Sequence, residues 1–146
     1  HYNCEVLHLD KIHFTSNWQE RTVDEMANDV SKFMLQSDWI IEGNYSTCLY
    51  EERMREADCI VYFNFNRVNC LYRAFRRYLK YKGRTRPSMA ENCREKFDFE
   101  FMKWILLDGR SNKSVKQYTA VIKKYPDKTI VIKSQKQLNH YMKQVN

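Results

Sequence analysis

Glycine and proline are scarce in this chain, three and two residues in 146. That leaves little room for long linkers or low-complexity segments, and no internal repeat is visible. No window approaches the roughly 18 apolar residues of a membrane span, and no signal peptide opens the sequence, so no membrane partner is expected. No Cys-x-x-Cys pair occurs among the five cysteines, Cys4, Cys48, Cys59, Cys70 and Cys93. Their number is odd, and Cys4, His8 and His13 are not spaced like a zinc site. The thiols read as reduced, mostly core filler, in a cytoplasmic protein.

Acids are missing from one stretch. Eight bases lie between Arg67 and Arg86 (Arg67, Arg73, Arg76, Arg77, Lys80, Lys82, Arg84 and Arg86) without a single Asp or Glu. Outside it 17 bases face 18 acids, so the net charge of +7 belongs to one segment. A local polyanion site fits that distribution better than a uniformly basic surface.

What is present is enough for a core: 43% hydrophobic and 14% aromatic residues imply one folded domain over residues 1–146. Four short runs rich in β-branched or aromatic residues predict buried strands over residues 5–9, 39–41, 59–65 and 129–132. Thr22 with Glu25 forms a capping box before a helix with Val23, Met26, Val30, Phe33 and Met34 on one face, and Ser134 with Gln137 repeats the signature. Helices are also predicted over residues 66–82, 98–107 and 114–125. In the first of these Val68, Leu71, Tyr72, Phe75 and Leu79 form the expected inner stripe, leaving Arg73, Arg76, Arg77 and Lys80 outward. Residues 66–112 read as a helical, basic, lid-like region. Strands alternating with helices predict an α/β fold with a mainly parallel sheet.

Ligands of open α/β sheets collect at strand ends. Asp10 is placed at the end of the first strand, followed by Phe14. Glu42, Gly43, Asn44 and Tyr45 follow the second. A carboxylate there can hold a Mg²⁺-bound water or orient an acceptor hydroxyl, which makes Asp10 and Glu42 candidate catalytic groups and Glu42 the candidate metal ligand. Asp10, Phe14, Asn44 and Tyr45 are the candidate substrate-binding residues; the plainer reading is a capped strand-to-loop turn. Arg73 and Arg77, one helical turn apart, can converge on one phosphate, with Arg84 and Arg86 in a Gly83–Pro87 turn closing over it. The plainer alternative is a solvated helix face. A phosphate loop of the form G-x-x-x-x-G-K-[ST] is absent: Gly43, Gly83 and Gly109 have neither the spacing nor a following Lys.

The blocks HLDKIHF, WIIEGNYS, ADCIVYFNFNR, YRAFRRYLKYKGRTRP, CREKFDFEFMKWI and KTIVIKSQKQL run in order over nearly the whole chain. Together they resemble the bacterial topology-modulation-protein family of adenylate-kinase-like P-loop proteins. The resemblance implies a three-layer α/β/α P-loop nucleotide-kinase-like fold with a parallel sheet, with one strand, the phosphate loop and one helix lying upstream of His1. Residues 1–10 would then be the end of that helix running into the second strand. It further implies ATP and Mg²⁺ as cofactors. Glu42 falls where the family often has Asp, near Mg²⁺. Arg73, Arg77, Arg84 and Arg86 resemble lid arginines, and Ser134, Gln135 and Lys136 match the loop that holds adenine. In such a sheet the absent strand is central, so two interior strands would show unpaired edges to the gap.

The expected function is therefore ATP-dependent phosphoryl transfer to a small nucleotide-like or hydroxylated acceptor. A DNA-binding, topology-modulating regulator is the alternative from the basic segment, and a nucleotide sensor without catalysis is a third.

Overall fold

The computed structural model describes residues 4–145; the helix end expected over residues 1–3 lies outside them. Strand β1 (Val6–His8) runs directly into helix α1 (Leu9–His13), followed by α2 (Val23–Phe33), β2 (Ile40–Glu42), α3 (Tyr50–Glu56) and β3 (Ile60–Phe63). Then come α4 (Arg67–Tyr81), α5 (Phe99–Leu106), α6 (Asn112–Lys124), β4 (Thr129–Ile132) and α7 (Gln135–Gln144).

The expected three-layer α/β/α fold is not formed. The described residues hold two separate two-stranded parallel sheets, β1 with β2 and β3 with β4, in a largely helical chain. Val6 to His8 register with Ile40 to Glu42, and Ile60 to Phe63 with Thr129 to Ile132. Strands of three or four residues make only a few slanted ladder bonds each, so helices carry most of the packing. The strand over residues 59–65 is shortened at both ends, while the one over residues 129–132 has the expected bounds.

Local signals fare better. Thr22 caps α2 in a full capping box: its hydroxyl accepts from the Glu25 N–H, and the Glu25 carboxylate accepts from the Thr22 N–H at 2.9 Å. Asp98 caps α5, and Ser134 caps α7 by accepting from the Gln137 N–H. Helices α1 and α3 are additions to the sequence reading, and α1 moves Asp10 from a strand end into a first helical turn.

The chain divides into two compact units. One consists of His1–Arg55 with Tyr81–Glu95, the other of Glu56–Lys80 with Lys96–Asn146. Residues 66–112 are thus shared between the units. In the first, Leu9, Met26, Val30 and Cys48 form a buried cluster against which Leu7, Ile12, Ile41 and Tyr45 pack. Each fully buried side chain of this size contributes about 1.5–3 kcal/mol by leaving water. A second cluster of Met89, Ala90 and Cys93 is covered by Phe14 and Trp18. In the second unit Phe65, Ala74, Val121 and Ile132 are buried.

Helix α4 is turned relative to the sequence reading. Its packed side carries Cys70, Leu71, Ala74, Arg77 and Tyr78, whereas Val68, Tyr72, Phe75 and Leu79 are exposed. Apolar residues cover both faces, so periodicity alone does not choose between them. Arg77, expected outward, lies half-buried with its guanidinium 5.9 Å from the Phe101 ring centre.

Candidate functional site

The first unit assembles three of the sequence-predicted residues. Buried Leu9 starts α1, which sets Asp10 in the first turn with its side chain 37% exposed. The parallel register puts Glu42 opposite His8, whose Nδ1 lies 3.0 Å from Glu42 Oε2. Gly43 follows with φ of +138°, and a Cβ there would stand 2.7 Å from Leu9 Cβ. Only glycine lets the chain pass this close to Leu9 in that conformation. The passage delivers Tyr45, whose hydroxyl donates to Asp10 Oδ1 at 3.0 Å.

Residues 84–95 bring the third member. The Glu95 N–H bonds the Arg84 carbonyl at 3.1 Å, and Thr85 bridges to Arg94, making a short clip. From it Arg86 donates through Nη2 to Asp10 Oδ2 at 2.6 Å and faces Glu95 Oε1 through Nη1 at 3.3 Å. Glu95 is 5% exposed. Arg86 thus bridges Asp10 and Glu95 through its two terminal nitrogens.

Tyr45 is the responsive group. Burial first, then the Asp10 charge and hydrogen bond, push its phenol well above the ordinary value of 10. It stays protonated and donates to Asp10 at neutral pH. Arg53 holds the same loop from behind: it is 3% exposed, donates from Nε to the Cys48 carbonyl at 2.8 Å and from Nη2 to the Tyr45 carbonyl. Burial lowers its affinity for its proton. Neither Arg53 nor Glu95 stood out in the sequence, because each sits in an ordinary charged run and acquires its role only through folding.

The remaining candidates separate. Phe14 packs on Met89, Ala90 and Cys93 and meets the Trp18 ring edge-on at 5.2 Å, a core contact. Asn44, Glu42 and Arg84 are exposed. In the second unit Arg73 lies 4.2 Å above the Phe65 ring and donates to the Gln135 side chain. Ser134 is occupied as a helix cap, and Gln135 also bonds Asn139 at 2.6 Å. Lys136, with Asn139, His140 and Lys143, lines a shallow hollow of about 440 Å³ along α7. The chain has no match among protein-family models, curated proteins or solved structures.

For Mg²⁺, the described residues hold no group of three or more His, Cys, Asp or Glu placed around a common point. Glu42, 63% exposed, offers one carboxylate. The three glycines of the sequence are too far apart to form the G-x-x-x-x-G-K-[ST] phosphate loop.

Proposed function

We propose that this protein binds a small hydroxylated, nucleotide-like acceptor at Asp10 and takes part in phosphoryl transfer to that hydroxyl from ATP·Mg²⁺. The observation that carries this reading is the convergence of Tyr45 and Arg86 on the two oxygens of one partly exposed carboxylate. An ionised carboxylate has about four lone-pair sites, so two donors leave capacity for an incoming hydroxyl. Asp10 accepts that hydrogen bond and takes the proton as the hydroxyl becomes the nucleophile. Tyr45 and Arg86 fix the carboxylate plane. ATP·Mg²⁺ would supply the phosphoryl group and leave as ADP·Mg²⁺, and Glu42 would hold the metal.

The duplex-DNA alternative draws on the basic segment, but two of its arginines are withdrawn from solvent: Arg86 is 14% exposed between carboxylates and Arg77 lies half-buried against Phe101. That leaves fewer phosphate contacts than the sequence offers.

Thermal unfolding with Mg-ATP and with a panel of nucleosides and nucleotides tests the proposal. Binding at ligand concentrations 100-fold above Kd raises stability by about 2.7 kcal/mol. A nucleoside or nucleotide that stabilises the wild type and not Asp10→Asn is expected. Absence of any stabilisation by millimolar Mg-ATP overturns the phosphotransferase reading. Stabilisation without phosphorylated product identifies the sensor instead.

A further inference from the structure

Helix α4 carries an apolar ridge that the fold leaves open. Val68, Tyr72, Phe75 and Leu79 are 72%, 57%, 42% and 55% exposed. At roughly 100° per residue they fall within about a 60° arc, and they extend over roughly 16 Å of helix axis. Phe75 is steadied by the Phe97 ring at 5.3 Å, and the Arg76 guanidinium sits 5.9 Å from the Tyr72 ring centre. One flank of the ridge is basic, with Arg73, Arg76 and Lys80. On its other side Leu71 and Tyr78 are half-buried. No acid occurs from Arg67 to Arg86.

We propose that this ridge docks an amphipathic helix of another protein, one whose apolar stripe is bordered by Asp or Glu. The spacing of four apolar side chains along one line is that of helix-to-helix recognition, and the basic flank selects an acidic partner. A second copy of the chain fits poorly, because an antiparallel two-fold pairing would set the same bases against one another and a parallel one would set them against the half-buried Leu71 and Tyr78 side. A ledge with one packed side also suits a rod better than a flat bilayer. Val68 and Leu79 offer nothing for nucleic-acid bases to stack on.

The probe is a fluorescent synthetic helix with Leu at i, i+4, i+7 and i+11 and Glu alongside, titrated with the whole chain and read by anisotropy. Tyr72→Glu and Leu79→Glu are each expected to weaken binding about tenfold or more, and Lys80→Glu to weaken it less and reduce its salt dependence. Leu35→Glu, at an 85% exposed position of the other unit, should leave it unchanged. All four positions are solvent-facing, and circular dichroism confirms that each variant is folded. The proposal is overturned by equal binding of a Lys-for-Glu probe, by equal loss in Leu35→Glu, or by no binding. Self-association that Tyr72→Glu abolishes overturns it in favour of a second copy. Binding of anionic vesicles or single-stranded DNA that Tyr72→Glu abolishes, with the synthetic helix unbound, overturns it in favour of those ligands.

Discussion

The two units are similar in length and differ in how they use apolar side chains. Among the described residues, seven of eleven buried hydrophobic side chains belong to the first unit, while twelve of sixteen exposed large ones belong to the second. The first also holds the buried charges, Arg53 and Glu95, each fastened by specific partners. The second relies on the four-residue ladder between β3 and β4 and on ring contacts such as Tyr62 with Tyr118. One unit holds most of the buried apolar side chains and a polar cluster, the other presents apolar surface. A small chain gains stability only from the apolar area it removes from water, so the units should respond differently to equivalent substitutions.

The largest expected difference is at glycines. Gly43→Ala forces a Cβ into Leu9 at an unfavourable positive φ and should cost about 3 kcal/mol or more. Gly109→Ala, where the new atom meets Trp104 at 3.1–3.2 Å, should cost about 1 kcal/mol. Urea unfolding reads both, and equal costs would break the contrast. Next, Arg86→Met removes the cation that Asp10 and Glu95 share, with an expected loss of about 3 kcal/mol. Arg73→Met, losing an exposed contact with the Phe65 ring and its bond to the Gln135 side chain, should lose about 1 kcal/mol.

The smallest effect is on alkaline stability. Tyr45 and Tyr62 both have phenols raised above the usual 10, chiefly by burial, Tyr45 the more so. A folded value above the unfolded one gives stability that is complete below about pH 10 and is lost as pH rises through the folded value. Tyr45→Phe should therefore flatten the fall in urea midpoint above about pH 10 more than Tyr62→Phe does. A flatter curve in Tyr62→Phe would reverse the ranking of the two interiors.

How much of this was legible beforehand follows the range of the interactions. Caps depend on residues three apart, and Thr22, Asp98 and Ser134 all act near where periodicity placed helix starts. Parallel pairing of short apolar runs was also readable. The single three-layer sheet was not there to be read, since strand assembly depends on contacts distant in sequence. Periodicity does not fix the α4 orientation, because Leu71, Ala74 and Tyr78 compete with Val68, Tyr72, Phe75 and Leu79 for the core. At the site, residue types at strand ends pointed to Asp10 and Tyr45. The clip that turns Arg86 inward toward them depends on Glu95, which no local pattern marks.

The first unit closes only when residues 81–95 return to the first 55, and the second only when residues 96–146 join residues 56–80. The chain therefore weaves between them. The Arg86–Asp10 bond spans 76 residues of sequence, and its loop must close before the polar cluster exists. On a ribosome, Asp10 and Tyr45 emerge long before their cation does, and the cluster is completed only as Glu95 appears. A protease cut in the connection after Glu95 would leave the first unit with both its segments and strip the second of more than half its length.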